Sequence, residues 1–94
     1  MVEIALPNSF SHEFMELIPA QRCFVNNLLE QGIISVYSLA LDKQKLWVVF
    51  LAERISEVQA HVEKFPIADY VQYEIHELAF HDAANLVVPS LSLN

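Results

Sequence analysis

Gln72, Glu74 and His76 occupy every second position near the end of the chain, with Val71, Tyr73 and Ile75 between them. In an extended strand, alternate side chains point to opposite faces, so the carboxylate and the imidazole share one side. If the apolar side packs on helices, the polar side faces a cavity, where Glu3 from a first strand and Ser35 and Tyr37 from a second could join it. A carboxylate, an imidazole and a phenol around an apolar pocket are the groups a metal-free proton shift requires. One removes an α-proton as base, and another returns it as acid or holds the enolate oxygen. Burial would raise the pKa of Glu74 and suit it to act near neutral pH. Glu74, His76 and Tyr37 are therefore the candidate catalytic residues, and Glu3 is a candidate for substrate binding. The plain alternative is that Glu3, Glu74 and His76 are solvated, or paired at a sheet edge or subunit contact.

Three further residues are candidates for holding a substrate. Gln21 is the one polar residue at the centre of an apolar helical stripe beside Leu17, Ile18 and Val25, and a buried amide needs partners. Either the carbonyl freed by Pro19 or a group in the cavity would supply them. Arg22, at the edge of the stripe, could hold a carboxylate bidentately or form an ion pair with a nearby acid. Trp47 could form an aromatic wall for a flat ligand, or pack in an interface.

No metal site is expected. His76 to His81 is one residue longer than H-E-x-x-H and falls on a strand, where His76 and Glu77 diverge. His12-Glu13-Phe14-Met15-Glu16 has a glutamate where the second histidine belongs, and reads as a solvated first helical turn with acids favoured by the dipole. Cys23 lies on the side of its helix opposite the stripe with no activating base, so it is not a nucleophile. His61 reads as a surface residue.

Composition narrows the function classes. The 94 residues suit one small domain whose thin core gains from association. The hydrophobic fraction is 54%, above that of ordinary globular chains, yet no apolar run approaches a membrane span. The surplus apolar surface points to an interface. Five basic residues are scattered among twelve acidic ones, for a net charge of −7, which opposes nucleic acid binding. A single glycine, Gly32, leaves no Gly-rich loop for a nucleotide. A single cysteine allows no internal disulfide and no multi-cysteine zinc site. No secretory signal is visible at Met1 to Ile4, so a cytoplasmic location is expected.

The elements that position these groups follow from periodicity. Val2, Ile4 and Leu6 alternate up to Pro7, predicting a strand. Asn8, Ser9 and Ser11 offer caps for a helical stripe of Phe14, Leu17, Ile18, Val25, Leu28 and Leu29, which ends at Gly32. Pro19 predicts a kink or a fresh helix start. Residues 33–41 and 45–52 read as a hairpin around Asp42-Lys43-Gln44. Ser56 and Gln59 have capping-box spacing for a short helix ending before Pro66, and a last strand is expected over 71–80. The order β-α-β-β-α-β predicts an α+β fold of ferredoxin-like arrangement: a four-stranded antiparallel sheet with two helices on one face.

Trp47 to Leu51 places large apolar side chains on both faces of a strand, while the helices cover only one. Face-to-face pairing of two sheets into a dimeric α+β barrel would hide the other. Residues 1–80 form the domain on this reading. The apolar but aperiodic segment 81–94 is expected to be a C-terminal arm packing on a neighbouring subunit.

With Leu6-Pro7 ending the first strand, Leu28-Leu29-Glu30-Gln31-Gly32 closing the helix and Phe65-Pro66-Ile67-Ala68-Asp69-Tyr70 leading into the last strand, the chain resembles the muconolactone delta-isomerase-like group of dimeric α+β barrels over roughly residues 1–82. The resemblance implies a homo-oligomer that needs no metal or organic cofactor and shifts a proton within an unsaturated lactone or related small organic acid. It carries over no catalytic set. The stretch before the last strand and the tail from Pro89 to Asn94 both depart from the isomerase. Two other readings stand beside the isomerase. One is a non-catalytic ligand-binding or assembly module with a filled barrel. The other is a cofactor-free or haem-handling oxygenase-like barrel.

Overall fold

Val2 and Ile4 are completely buried while Glu3 between them is not, so the first strand has one face in the core, as its alternation requires. The computed structural model describes residues 1–80 and Asp82. Its elements are β1 (Val2–Ala5), α1 (His12–Glu16), α2 (Ile18–Glu30), β2 (Ile34–Ala40), β3 (Lys45–Phe50), α3 (Ile55–Glu63) and β4 (Gln72–Ile75), with a 3-10 turn at Ala68–Tyr70 before the last strand. The four strands form one antiparallel sheet in the order β2-β3-β1-β4. This small α+β architecture is compatible with the ferredoxin-like arrangement. The arm expected over 81–94 lies outside the described residues, Asp82 excepted.

Register assigns the faces. Val2 is paired with Val48 and Ile75, Ile4 with Leu46 and Tyr73, and Ile34 with Phe50. These residues join Phe14, Val25, Leu28, Val58, Val62, Phe65 and Ile67 in one core between sheet and helices. Each fully buried aliphatic side chain there contributes about 1.5–3 kcal/mol. The Phe14 ring lies 4.9 Å from Phe10 and 5.7 Å, edge-on, from Tyr70, which ties the short α1 to the entry of β4. His61, expected at the surface, is half-buried and stacks on Phe50 at 5.8 Å. One turn of helix after Val58 places it over the end of β3.

The first helical segment is two helices. The Ser11 hydroxyl accepts the Phe14 N–H at 3.1 Å and caps α1. The chain then restarts at Ile18 with Pro19 in the first turn of α2, where a missing N–H costs nothing because that position has no intrahelical acceptor. Gly32 ends α2 at φ +76°, with the Ile33 N–H on the Leu28 carbonyl (2.9 Å) and the Gly32 N–H on that of Leu29 (3.1 Å). This pair of bonds is the Schellman motif.

Two boundaries differ from expectation. The cap of α3 is Arg54 rather than Ser56: the Glu57 carboxylate accepts the backbone N–H groups of Glu53 (2.9 Å) and Arg54 (3.1 Å), so a reciprocal glutamate two residues upstream of Gln59 sets the start. The last strand stops at Ile75 instead of continuing to Phe80. It pairs only with β1, and after Ile75 meets Val2 the ladder closes with the His76 N–H on the Met1 carbonyl at 2.7 Å.

Candidate functional site

β1 is central, so whatever it presents on the side away from the helices is flanked from both directions. Glu3 sits opposite Trp47 of β3 and opposite Glu74 of β4. Ala5 sits opposite Lys45 and Gln72, which places Lys45 one pleat away from Glu3 on the same face. The Lys45 ammonium donates to Glu3 Oε2 at 2.5 Å. His76 Nε2 lies 3.5 Å from Glu3 Oε1 and 3.8 Å from Glu74 Oε1. Glu3, Lys45, Glu74 and His76 therefore form one cluster. None of them, nor Trp47, belongs to the helix-side core. A shallow hollow of about 390 Å³ lined by Glu3, Ala5, Lys45, Gln72, Tyr73 and Glu74 adjoins it.

The groups in the cluster are electrostatically distinct. The hydrogen bond and charge of Lys45, with a smaller contribution from His76, hold the Glu3 carboxyl below the usual glutamate range against an opposing effect of burial. Glu3 is thus a fixed anion that orients its neighbours, and a weak base. The Glu74 side chain is 78% exposed, so the burial expected for it is absent from a single chain. His76 is 45% exposed and has a carboxylate on either side.

Glu3, Glu74 and His76 also bring three donor atoms within 4.8 Å of one another, a set that could hold a metal ion and was not expected from the sequence. Two carboxylates and one imidazole suit a divalent cation. Lys45 contests the place, because a cation already neutralises one oxygen of Glu3.

The remaining candidates lie elsewhere. Tyr37 pairs with Val48, which faces the helices, so it is on the opposite side of the sheet from Glu74 and His76 and cannot act with them. The irregularity between Ile34 and Val36 sets this phase for β2, and the strand is the far edge from β4. Ser35, at that irregularity, donates to the Val49 carbonyl at 3.4 Å. Gln21 is buried: its carbonyl oxygen accepts the Ile67 N–H and its amide nitrogen donates to the Tyr37 hydroxyl oxygen, each at 3.4 Å. The repair of a Pro19 kink is not its role, since α2 starts afresh there. Arg22 is exposed on α2 and has no ion pair among the described residues. Cys23 is exposed as expected, and His12 pairs with Glu16 at 3.0 Å on the outer face of α1.

Lys45 is the member of the cluster that the sequence shows least. Alternation along β3 puts it on the side of Trp47, but only the β1–β3 register brings it to Glu3. No helix among the described residues is long and apolar enough to cross a membrane. Compared with known proteins, the chain matches no family model and no curated sequence.

Proposed function

We propose that two copies of the chain pair the open faces of their sheets into an α+β barrel, and that Glu74 and His76 inside it shift a proton on a small unsaturated lactone or organic acid. The observation that carries this reading is the meeting of Glu3, Glu74, His76 and Lys45 on the sheet face away from the core. Trp47, half-buried on the same face, supplies apolar surface for a partner sheet or a ligand. Glu3 anchors Lys45 and His76, and Lys45 offers a positive charge to an enolate oxygen. Glu74, the least constrained carboxylate, takes the proton, and closure of the barrel would supply the burial it lacks in one chain. His76 returns the proton.

The test is α-proton exchange. Candidate butenolides and unsaturated acids are incubated with the protein in D₂O and followed by NMR. Wild-type protein should catalyse deuterium uptake, and Glu74→Gln and His76→Gln should each lose at least about a hundredfold of it. Unchanged exchange in both variants contradicts the assignment. A non-catalytic ligand-binding module is the second reading, favoured by the Lys45–Glu3 pairing, which leaves the anchor carboxylate already satisfied. Binding of these compounds without exchange would select it.

A further inference from the structure

A second cavity lies on the other side of the sheet, between its β2–β3 end and helices α1 and α2. Its volume is about 370 Å³, within the range of small-molecule sites. Leu6, Phe10, Phe14, Ile18, Leu39 and Leu46 make most of its wall, and its polar groups are Gln21, Arg22 and Tyr37.

These three polar groups are donors with capacity to spare. The Gln21 carbonyl oxygen is taken by the Ile67 N–H, and its amide nitrogen spends one hydrogen on the Tyr37 oxygen. That leaves the second amide hydrogen, the Tyr37 O–H and the whole Arg22 guanidinium without an acceptor among the described residues. Gln21 is only 3% exposed, and buried donors of this kind are ordinarily matched by an acceptor. An apolar cavity whose polar groups only donate fits a ligand with an anionic oxygen head and an apolar body. A carboxylate supplies up to four acceptor sites for the three donors. Burial also raises the Tyr37 hydroxyl above its usual range, which keeps it a donor at neutral pH.

We propose that this cleft is a binding site for a small apolar monocarboxylic acid, with Arg22, Tyr37 and the Gln21 amide holding the carboxylate and the aromatic and aliphatic wall holding the body. It is separate from the Glu3–Glu74–His76 face, since Tyr37 pairs with the core residue Val48 and the cleft lies on the helix side of the sheet.

The experiment is an NMR titration of the full chain, labelled with ¹⁵N, using 4-phenylbutyrate as probe and the uncharged 4-phenylbutyramide for comparison. Saturable one-to-one shifts are expected around Phe14, Gln21 and Leu46. Affinity should fall about tenfold for the amide, for Arg22→Gln and for Tyr37→Phe, since each loses a charge-assisted hydrogen bond. Arg22 is exposed, so its variant tests the site without disturbing the core. Glu74→Gln should bind the acid as the wild type does, which separates this site from the proton-shift reading. The proposal is overturned by absence of saturable shifts up to about 10 mM, by shifts centred on Glu3 and Glu74, or by equal affinity in the Arg22 and Tyr37 variants.

Discussion

Glu3 and Glu74 face each other directly across the β1–β4 ladder, two carboxylates in register on the same side of the sheet. Like charges so placed destabilise a sheet unless cations intervene. Lys45 supplies one at 2.5 Å from Glu3, and the His76 imidazole lies within 3.8 Å of both acids. The four residues therefore act as a unit, and changing one alters the balance of the others.

Glu3 makes stability depend on pH in a definite direction. Lys45 holds its folded pKa below the ordinary glutamate range, so its contribution is present above that range and is lost as pH falls through the depressed value. Urea midpoints measured between pH 7 and pH 3 should fall more steeply for wild type than for Glu3→Gln. Parallel profiles would show that Lys45 does not hold the carboxylate in solution.

Removing the Lys45 charge should weaken any exchange activity by leaving the two acids unbalanced and the enolate oxygen without a cation. Lys45→Met is expected to lose about ten- to a hundredfold of turnover with its fold retained, read by the D₂O assay and circular dichroism together. Activity equal to wild type would remove Lys45 from the site.

Gln21 links α2, β2 and the segment before β4 through Ile67 and Tyr37. Gln21→Leu should cost about 1–3 kcal/mol by stranding the buried Ile67 N–H, whereas Tyr37→Phe should cost about 1 kcal/mol or less. Urea denaturation of the two variants provides the comparison, and the reverse order would mean that the Tyr37 hydroxyl carries the linkage.

Gly32 needs its positive φ, yet nothing lies within 4 Å of where a Cβ would stand. Gly32→Ala should therefore cost about 1 kcal/mol from backbone conformation alone. A much larger loss by thermal unfolding would indicate a steric partner at that turn.

Much of this architecture is legible in the residues. Val2 and Ile4, the Ser11 cap, Gly32 and the alternation of Gln72 to His76 each state a local rule that the fold obeys, and cross-strand pairing then follows from the element order. What could not be read is phase and neighbourhood. Tyr37 alternates correctly within β2, but the irregularity beside Ser35 and the register with Val48 turn it toward the helices. Lys45 looked like one of five scattered cations until β3 lay beside β1. Ser56 had the spacing of a cap, but Glu57 two residues before Gln59 reaches back to Glu53 and Arg54 and starts the helix earlier. Local patterns specify elements, while the meeting of side chains from different strands depends on long-range register.

The most direct test of the paired-sheet account is the mass in solution of wild type and Trp47→Asp, measured by light scattering after size exclusion. Trp47 is half-buried on the open face beside Glu3, so a carboxylate there would add a third acid to the surface that the partner must cover. Face-to-face pairing of the sheets requires a dimer or a multiple of it for wild type, and a folded monomer or insoluble chain for the variant. A wild-type monomer, or an undisturbed soluble oligomer in Trp47→Asp, would contradict it.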